Sequence, residues 1–334
     1  MNLSANNATL DVVKQSIARF FDSSDLHHEQ NPQNHELDDS RRVFHGRGRC
    51  FPGLHWCSID YFSPMLIVTL FEAPPQGWLD ELVMYIKSLM QSLERKKALS
   101  GVLVQRRFIP GAPFELVAGD SADECFAKRQ SLKFNLSFSQ QNIGYFLDIE
   151  SARCWLEKRA NNASILNLFA YTCSFSVVAS QAGAASIVNV DLSRRSLDVG
   201  RDNHRLNALD IQSVRFLGHD VFKSWGKLRK LGPYDIVIVD PPSYQRGSFV
   251  ASKDYQRVLR QISRLLNGGG RLLACLNAPE VLLSDFKHMI DDTCGDDLEF
   301  EQLLSAHSDF PEAEPERGLK MLVYRKASDS NLVS

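Results

Sequence analysis

Short apolar segments alternate with segments of helical periodicity through the middle of the chain. The four apolar segments are ILNLF (165–169), SIVNVD (186–191), VRFLG (214–218) and YDIVIVD (234–240). Runs of this length between helical segments are typical of buried parallel strands, so the pattern predicts an α/β sheet. Polar residues lie at or just after the ends of these runs, namely Asn167, Thr172, Asp191, Asp220 and Asp240. Because ligands of open parallel sheets bind beyond the carboxyl ends of the strands, these residues predict one shared site.

The chain after these runs completes the predicted sheet. A helical segment (254–270) is expected to end at the triple glycine 268–270, since glycine commonly terminates helices. The run RLLACLN (271–277) predicts a fifth strand, and a further helix is expected from about Pro279 to Met289. The final pattern (298–326) indicates a closing antiparallel pair. Together these segments predict a Rossmann-like, doubly wound sheet.

The chain before these runs has a different organisation. An amphipathic helix (10–21) and a polar tract (23–40), interpreted as a loop or disordered linker, are followed by two apolar runs (54–62 and 65–71) that predict adjacent strands. A helix (78–97) and two further strands (101–108 and 113–119) then complete a small α+β domain. We therefore expect three parts: residues 1–40 as helix and linker, 41–135 as the small domain, and 136–330 as the larger α/β domain.

Composition narrows the class of protein. The chain has 334 residues, of which 44% are hydrophobic and 23% charged, as in ordinary soluble proteins. It lacks a secretory signal pattern and any apolar run long enough to span a membrane, so a cytoplasmic location is expected. Its seven cysteines form no CxxC pairs, which argues against a disulfide framework or a metal site. His27, His28 and His35 are interpreted as part of the solvated linker.

Basic residues concentrate in the small domain. The net charge is −5 for residues 1–40 and +4 for residues 41–135. Arg41, Arg42, Arg47 and Arg49 lie close together among glycines and aromatic residues, a pattern suited to contacts with RNA phosphates and exposed bases. The alternative interpretation is a basic turn before a hairpin.

The candidate site residues each have a structural alternative. The turn after the first run lacks GxGxxG, which argues against dinucleotide binding. Asp191 could accept the hydroxyls of a ribose or, with Ser193, cap a helix. Asp220 could accept from an adenine amino group or cap the next helix. The segment Asp240-Pro241-Pro242-Ser243-Tyr244 offers rigid acceptors and an aromatic ring, which suits a flipped base; the alternative is a rigid turn.

The motifs FxYTxxF (169–175), VDxSRxxLDxxRxNxxLN (190–207) and DPPSY (240–244) together resemble those of class I S-adenosylmethionine-dependent methyltransferases. More narrowly, the chain from about Arg42 to Lys326 resembles the bacterial 23S ribosomal RNA methyltransferases that include cytosine-C5 and guanine-N7 enzymes. The resemblance implies a methyltransferase that uses S-adenosyl-L-methionine, acts on a base of ribosomal RNA and contains no metal.

The resemblance also implies roles for individual residues. Those matching cofactor-binding positions are Tyr145, Phe146, Asp148, Asn167, Phe169, Tyr171, Thr172, Asp191, Leu192, Ser193, Asp220, Val221 and Asp240. Those matching the base-binding and catalytic motif are Asp240, Pro241 and Tyr244, with Asn277 after the fifth strand.

Two departures from the family pattern bear on function. Cys173 and Ser174 stand where relatives commonly have glycine, so their side chains could crowd the methionine part of the cofactor. The cytosine-C5 branch has a nucleophilic cysteine near the end of the fifth strand, where this chain has Asn277, with Cys275 two residues earlier. Asparagine matches the guanine-N7 branch, which favours a nitrogen target. The alternatives are a diverged protein that binds cofactor and RNA without efficient transfer, and a nicotinamide-dependent oxidoreductase.

Overall fold

The structure is a computed structural model that describes residues 3–26, 39–93, 98–121, 124–242, 244–245 and 249–328. The chain divides into two compact units. The first comprises Met1–Leu147 with Ser308–Ala313, and the second comprises Asp148–His307 with Glu314–Ser334. The domain limits at residues 40, 135 and 330 remain predictions. Most of the predicted polar linker, residues 27–38 with its three histidines, lies outside the described residues.

The first unit is a five-stranded sheet with two helices and a small hairpin. Its elements are α1 (Leu3–Leu26), β1 (Arg41–His45), β2 (Cys57–Phe62), β3 (Met65–Leu70), α2 (Trp78–Leu93), β4 (Gly101–Arg106), β5 (Phe114–Gly119), β6 (Phe126–Arg129) and β7 (Leu132–Asn135). The sheet order is β1-β2-β3-β4-β5, with β3 and β4 parallel and β6 pairing with β7 separately. The apolar stripes of α1 and α2 are buried with the sheet in one core, so this unit has an α+β organisation in which α1 takes part.

Two glycines allow close backbone approach in the first unit. A Cβ at Gly46 would lie 1.9 Å from the Leu54 carbonyl oxygen, and one at Gly48 would lie 1.8 Å from that of Pro311. The Ala313 N–H donates to the Gly48 carbonyl at 2.7 Å, which attaches the segment 308–313 to this turn. The glycines of the basic segment therefore serve tight packing.

The second unit is a seven-stranded sheet with helices on both faces. Its elements are α3 (Glu150–Glu157), β8 (Ser164–Leu168), α4 (Ser174–Gln181), β9 (Ser186–Asp191), α5 (Arg194–Leu206), β10 (Val214–Gly218), α6 (Trp225–Leu231), β11 (Tyr234–Val239), β12 (Tyr244–Gln245), β13 (Phe249–Val250), α7 (Ala251–Ile262), β14 (Leu266–Leu276), α8 (Leu283–Cys294), β15 (Leu298–Leu303) and β16 (Lys320–Lys326). The sheet order is β10-β9-β8-β11-β14-β16-β15. The strand β16 runs antiparallel to both of its neighbours, β14 and β15, whereas the pairs from β10 to β14 are parallel. The predicted fold class is confirmed.

Successive side chains of β11 point to opposite faces of the sheet, and both faces are buried. Val237 and Val239 belong to the core that includes α7 and α8, whereas Ile236 and Ile238 belong to the core that includes α3 and α4. A strand covered by helices on both faces reads as a continuous apolar run, which is the pattern that the sequence presents.

Two predicted boundaries are wrong. The triple glycine does not end a helix: α7 stops at Ile262, and the glycines lie inside β14, where Gly269 has φ +76° and the pairing with β11 shifts register. The helix expected from Pro279 begins instead at Leu283. The Ala278 carbonyl accepts from the Lys320 ammonium at 2.8 Å, and the Pro279 carbonyl accepts from Arg317 at 3.0 Å. The Ala278 carbonyl also accepts from the Val281 N–H at 3.1 Å, so residues 278–281 form a turn, and α8 begins only after it. None of the helices in the described residues is long and apolar enough to cross a membrane.

Candidate active site

The turn between β8 and α4 has an unusual backbone. Phe169, Tyr171 and Cys173 all adopt left-handed conformations, with φ of 58°, 47° and 63°. Left-handed backbone is unfavourable for residues with a Cβ, so the turn needs support from outside itself. The Tyr171 N–H donates to the Asp191 carboxylate at 2.8 Å, and Asn203 of α5 donates to the Thr172 carbonyl at 3.0 Å. These bonds fix the turn at the carboxyl end of β8.

The Cys173 side chain lies in the interior of the unit. It is fully buried with Ala170 and Leu197. A Cβ at Gly200 of α5 would lie 2.5 Å from the Cys173 sulfur, so the two positions share one space. Burial raises the pKa of the Cys173 thiol well above its usual value, which keeps the group neutral. A left-handed backbone favours glycine, which is the residue that the family resemblance leads us to expect at this position.

Asp191 ends β9 and connects two backbone segments. Its carboxylate oxygens accept one from Tyr171 N–H and the other from Ser193 N–H, each at 2.8 Å. Burial raises the pKa of Asp191, although the two backbone hydrogen bonds oppose this effect. Carboxylate oxygens have further lone pairs, so the hydroxyls of a ribose can be accommodated. Leu192, which follows, is 50% exposed and offers an apolar surface beside the carboxylate.

Ser193, Asp220 and Val221 have structural roles in the second unit. The Ser193 hydroxyl caps α5 by accepting from Ser196 N–H at 3.2 Å. Asp220 caps the turn after β10, because one oxygen accepts from Phe222 N–H at 2.9 Å. Val221 is buried in the core. The capping interpretations of Ser193 and Asp220 therefore hold. The Ser193 hydroxyl also accepts from the Ser196 hydroxyl at 2.9 Å, so only its own proton is left for a ligand, whereas the Asp220 carboxylate retains lone pairs.

Asn167 begins a buried chain of hydrogen bonds between the sheet and two helices. Its amide donates to Asn189, whose amide donates to Ser176, which lies 3.0 Å from His204 Nε2. His204 Nδ1 lies 2.7 Å from the Gly200 carbonyl. Because a carbonyl only accepts, Nδ1 carries the proton and Nε2 accepts from the Ser176 hydroxyl. Burial lowers the pKa of His204, so the ring is neutral at pH 7. The Asn167 amide thus fixes α4 and α5 on the sheet.

Asp240, Asp148 and Asn277 form a polar group at the carboxyl ends of β11 and β14. Asn277 is exposed directly after β14 and donates to the Asp148 carboxylate at 3.4 Å. Burial raises the pKa of Asp240 to about 7, and the negative charge of Asp148 adds to this effect. Pro241, which follows, is buried. Asp240, which is half-buried in the structure, therefore changes its ionisation at pH values near neutrality.

The other predicted site residues are Ser243, Tyr244, Tyr145 and Phe146. Ser243 lies outside the described residues, and Tyr244 is described only through its backbone, which pairs with Val250 between β12 and β13. Tyr145 and Phe146 belong to the first unit. Tyr145 is buried against Phe134, with ring centroids 4.7 Å apart, and Phe146 is 45% exposed.

Two residues near this group did not stand out in the sequence. Arg153 of α3 is fully buried, forms an ion pair with Glu150 at 3.1 Å, and its charge opposes the upward shift in the pKa of Asp240. The Tyr255 hydroxyl of α7 lies 3.1 Å from the carbonyls of both Val239 and Cys275, so it links the ends of β11 and β14. A charged residue among the apolar positions of α3 was the available signal for Arg153. The signal for Tyr255 was weaker, since tyrosine is common in apolar stripes.

Two halves of one site follow from the sheet order. The turn after β8 and Asp191 after β9 lie next to each other, and the Asp240 group lies at the ends of the next two strands, β11 and β14. Neighbouring strands are about 4.8 Å apart, so a ligand of nucleoside size spans several strand ends. A sheet with this order and polar groups at these ends is the architecture of a nucleoside-binding α/β enzyme.

Comparison with known proteins identifies the class. Residues 41–325 match the family of S-adenosylmethionine-dependent methyltransferases, and the chain belongs to that family. A methyltransferase crystallised with S-adenosylhomocysteine superposes with a TM-score of 0.81 and 25% identity, over 95% of this chain and 81% of that one. The cofactor is S-adenosylmethionine, and the lone pairs of Asp191 beside the exposed Leu192 fit its ribose and adenine.

Two curated relatives are ribosomal RNA enzymes by name. Ribosomal RNA large subunit methyltransferase I of Aeromonas hydrophila is 35% identical over 269 residues, which is 78% of this chain and 68% of that protein. The enzyme of the same name from Aeromonas salmonicida is 35% identical over 175 residues, which is 50% of this chain and 44% of that protein. The matched segment is thus less than half of one relative and about two thirds of the other.

Proposed function

We propose that this methyltransferase modifies a base of ribosomal RNA, and that the acceptor atom is a nitrogen. The observation that carries the proposal is the grouping of Asp240, Asp148 and Asn277 at the ends of β11 and β14, beside the strand ends that hold Asp191. Hydrogen-bonding groups of this kind can hold the edge of a flipped base. The names of the curated relatives support ribosomal RNA as the substrate.

The cofactor half of the site provides orientation. Asp191 binds the ribose hydroxyls, Leu192 contacts the adenine, and Asp220 with Val221 borders the adenine edge. The turn Phe169–Cys173 would hold the methionine part, together with Asp148 from the segment before α3. The cofactor contacts of Tyr145 and Phe146, which belong to the first unit, remain predictions from the family resemblance. Bound S-adenosylmethionine supplies an electrophilic methyl group on a sulfonium. The protein then accelerates transfer chiefly by holding the acceptor atom in line with that methyl group.

The base half of the site selects and aligns the acceptor. The Asp240 carboxylate and the Pro241 carbonyl accept hydrogen bonds from the base, Asn277 offers both a donor and an acceptor, and Tyr244 stacks on the base. The ionised form of Asp240 is the better acceptor for an amino or imino hydrogen. Arg153 and the Tyr255 hydroxyl keep these groups in place without touching the substrate.

A nitrogen target is favoured over carbon 5 of cytosine because the available cysteine is poorly suited to attack a base. Cys275 is fully buried, and burial together with the charges of Asp240 and Asp148 raises the pKa of its thiol well above the usual value. Since the thiolate is the reactive form of cysteine, a thiol held neutral does not provide covalent activation. The exposed side chain next to the site is Asn277.

The proposal is tested by incubating the protein with ribosomal RNA and S-adenosylmethionine labelled on the methyl group, followed by nucleoside analysis. We expect a single N-methylated nucleoside. A 5-methylcytosine product would overturn the nitrogen assignment and restore Cys275 as a nucleophile. Calorimetric binding of S-adenosylmethionine without transfer to any ribosomal RNA would favour a binding protein that has lost efficient catalysis.

A further inference from the structure

We propose that the first unit carries a binding surface for the phosphate backbone of RNA, formed by Arg47, Arg49, Phe71 and Arg107. This basic surface includes none of the residues assigned above to the cofactor and the base. The inference rests on the proposed function, because RNA is its ligand. It assigns that contact to four residues, two of which, Phe71 and Arg107, lie outside the basic segment of the sequence.

Two guanidinium groups share one aromatic ring at the centre of the basic surface. The guanidinium carbon of Arg47 lies 4.2 Å from the Phe71 ring centroid, and that of Arg107 lies 5.4 Å from it. Both distances are within the range of cation–π contacts. Arg47 and Arg49 are exposed, whereas Phe71 and Arg107 are partly buried. The ring thus holds two long cationic side chains in defined positions.

The backbone under the basic surface is well supported. Phe71 follows β3 and donates its N–H to the Trp56 carbonyl at 2.7 Å, and Arg107 follows β4 and donates to the Leu70 carbonyl at 2.8 Å. Arg47 lies in the turn after β1, between the two glycines that pack against Leu54 and Pro311. Positions fixed by a sheet lose little additional entropy when a ligand binds.

The arginines of the basic surface differ from neighbouring arginines in their pairing. Neighbouring arginines are paired: Arg41 with Asp309, Arg42 with Asp60, and Arg106 with Glu115. Within the described residues, Arg47, Arg49 and Arg107 form no such ion pair with a carboxylate.

The acidic groups near Arg47 have partners of their own. Glu72 and Glu312 lie near Arg47, and each interacts with a histidine, at 3.1 Å from His55 and 3.5 Å from His45. Partial burial and the charge of Arg49 lower the pKa of Arg47, and burial and the charge of Arg47 lower that of Arg107. An anionic ligand would relieve this repulsion.

The arrangement suits RNA phosphates. The guanidinium group presents a planar fork of donors to phosphate oxygens, and stacked arginine and aromatic groups also tolerate an adjacent base. Arg49 adds a third cation at the edge, in an open pocket that Phe51 and His55 also line. Three cations that form no direct ion pair with a carboxylate in the described part of the chain match a short stretch of RNA backbone better than a single ion.

The test exploits two adjacent arginines that differ in pairing. Arg107→Gln and Arg49→Gln remove cations of the basic surface, whereas Arg106→Gln removes a cation already paired with Glu115. Binding of ribosomal RNA and of poly(U) is measured over a series of salt concentrations. Losing one phosphate contact reduces the slope of log affinity against log salt by about 1. We expect that reduction for Arg107→Gln and Arg49→Gln, with a roughly tenfold loss of affinity at low salt, and no change for Arg106→Gln.

Further measurements separate the possible outcomes. Thermal unfolding and S-adenosylmethionine affinity show whether each variant is folded, and Arg107→Lys should retain the salt slope because it retains the charge. Equal slopes for wild type, Arg49→Gln and Arg107→Gln would overturn the inference while leaving the proposed function intact. Reduced slopes in the variants with no methyl transfer by the wild type would refute the proposed function and retain the RNA contact.

Discussion

The side chain of Cys173 occupies the space that a side chain at position 200 would need. A Cβ built on Gly200 would lie 2.5 Å from the Cys173 sulfur and 2.9 Å from its Cβ. Cys173 is the left-handed residue before α4, and Gly200 lies in α5, so the pair connects the turn under the cofactor with the helix that follows Asp191. The departure from glycine at position 173 is therefore accommodated by glycine at position 200.

Substitutions at these two positions should compensate for each other. Gly200→Ala alone should destabilise the protein by about 1–3 kcal/mol, as overpacking commonly does. Cys173→Gly alone should be close to neutral, because relief of the left-handed backbone, about 1–2 kcal/mol, offsets the lost sulfur contacts. The double variant should recover most of the loss. Thermal or denaturant unfolding measures all three, and strictly additive effects would contradict the shared space.

Asp191 should determine cofactor affinity. Asp191→Asn replaces one carboxylate oxygen by an NH2 group, which faces the N–H of Tyr171 or of Ser193. The variant therefore loses one acceptor and the negative charge that strengthens the hydrogen bonds to Asp191. Hydrogen bonds to charged groups contribute about 1.5–3 kcal/mol, so the Kd for S-adenosylmethionine should rise roughly 10–100-fold. Titration calorimetry provides the measurement. Asp220→Asn serves as the matched control, since Asn can keep the cap to Phe222 N–H, and it should change the Kd less. An equal effect at both positions would refute this ranking.

Much of the fold follows from local sequence patterns. Continuous apolar runs such as that of β11 specify buried parallel strands, and the chain order then places Asp191 and Asp240 at the same edge of the sheet. The triple glycine is ambiguous as a local pattern, because glycine is compatible both with a helix end and with the irregular pairing found in β14. Sequence distinguishes these only when the strand partner is known.

The interior of the site depends on contacts between distant residues, and no local pattern encodes them. The pairing of Asp148 with Asn277, the space shared by Cys173 and Gly200, and the chain from Asn189 to His204 each join separate elements. A residue type indicates what chemistry a position can perform. Which other residue it meets is decided by the packing of helices on the sheet.

Cys275 should be dispensable for transfer. Its thiol is buried and held neutral, so Cys275→Ala should keep the rate within about threefold of wild type, with a small loss of stability from the cavity. Asn277→Ala should lower kcat roughly tenfold or more, because it removes a group that aligns the base. Single-turnover transfer to ribosomal RNA provides the rates. Loss of activity in Cys275→Ala with unchanged folding and cofactor affinity, together with a covalent RNA adduct in wild type, would overturn the nitrogen mechanism.

Asp240 should couple activity to pH near neutrality. Its pKa of about 7 implies that the ionised acceptor is gained as pH rises through 7, so the transfer rate at saturating cofactor should rise over the same range. Asp148→Asn removes a negative charge that raises the pKa of Asp240 and should therefore move the rate profile to lower pH. Asp240→Asn should abolish transfer and leave S-adenosylmethionine binding largely intact. A rate that is flat from pH 6 to 8 in wild type would contradict this role.

The same carboxyl should lower the stability of the protein at high pH. The pKa of Asp240 is raised on folding, so the native state holds a proton that the unfolded state has already released, and the free energy of unfolding falls as pH rises from about 4 to 7. Asp240→Asn removes that dependence. We expect the Tm of the variant minus the Tm of wild type to be larger at pH 8 than at pH 5. If Asp240→Asn is instead less stable than wild type by the same amount at both pH values, Asp240 is not a destabilising charge held for function.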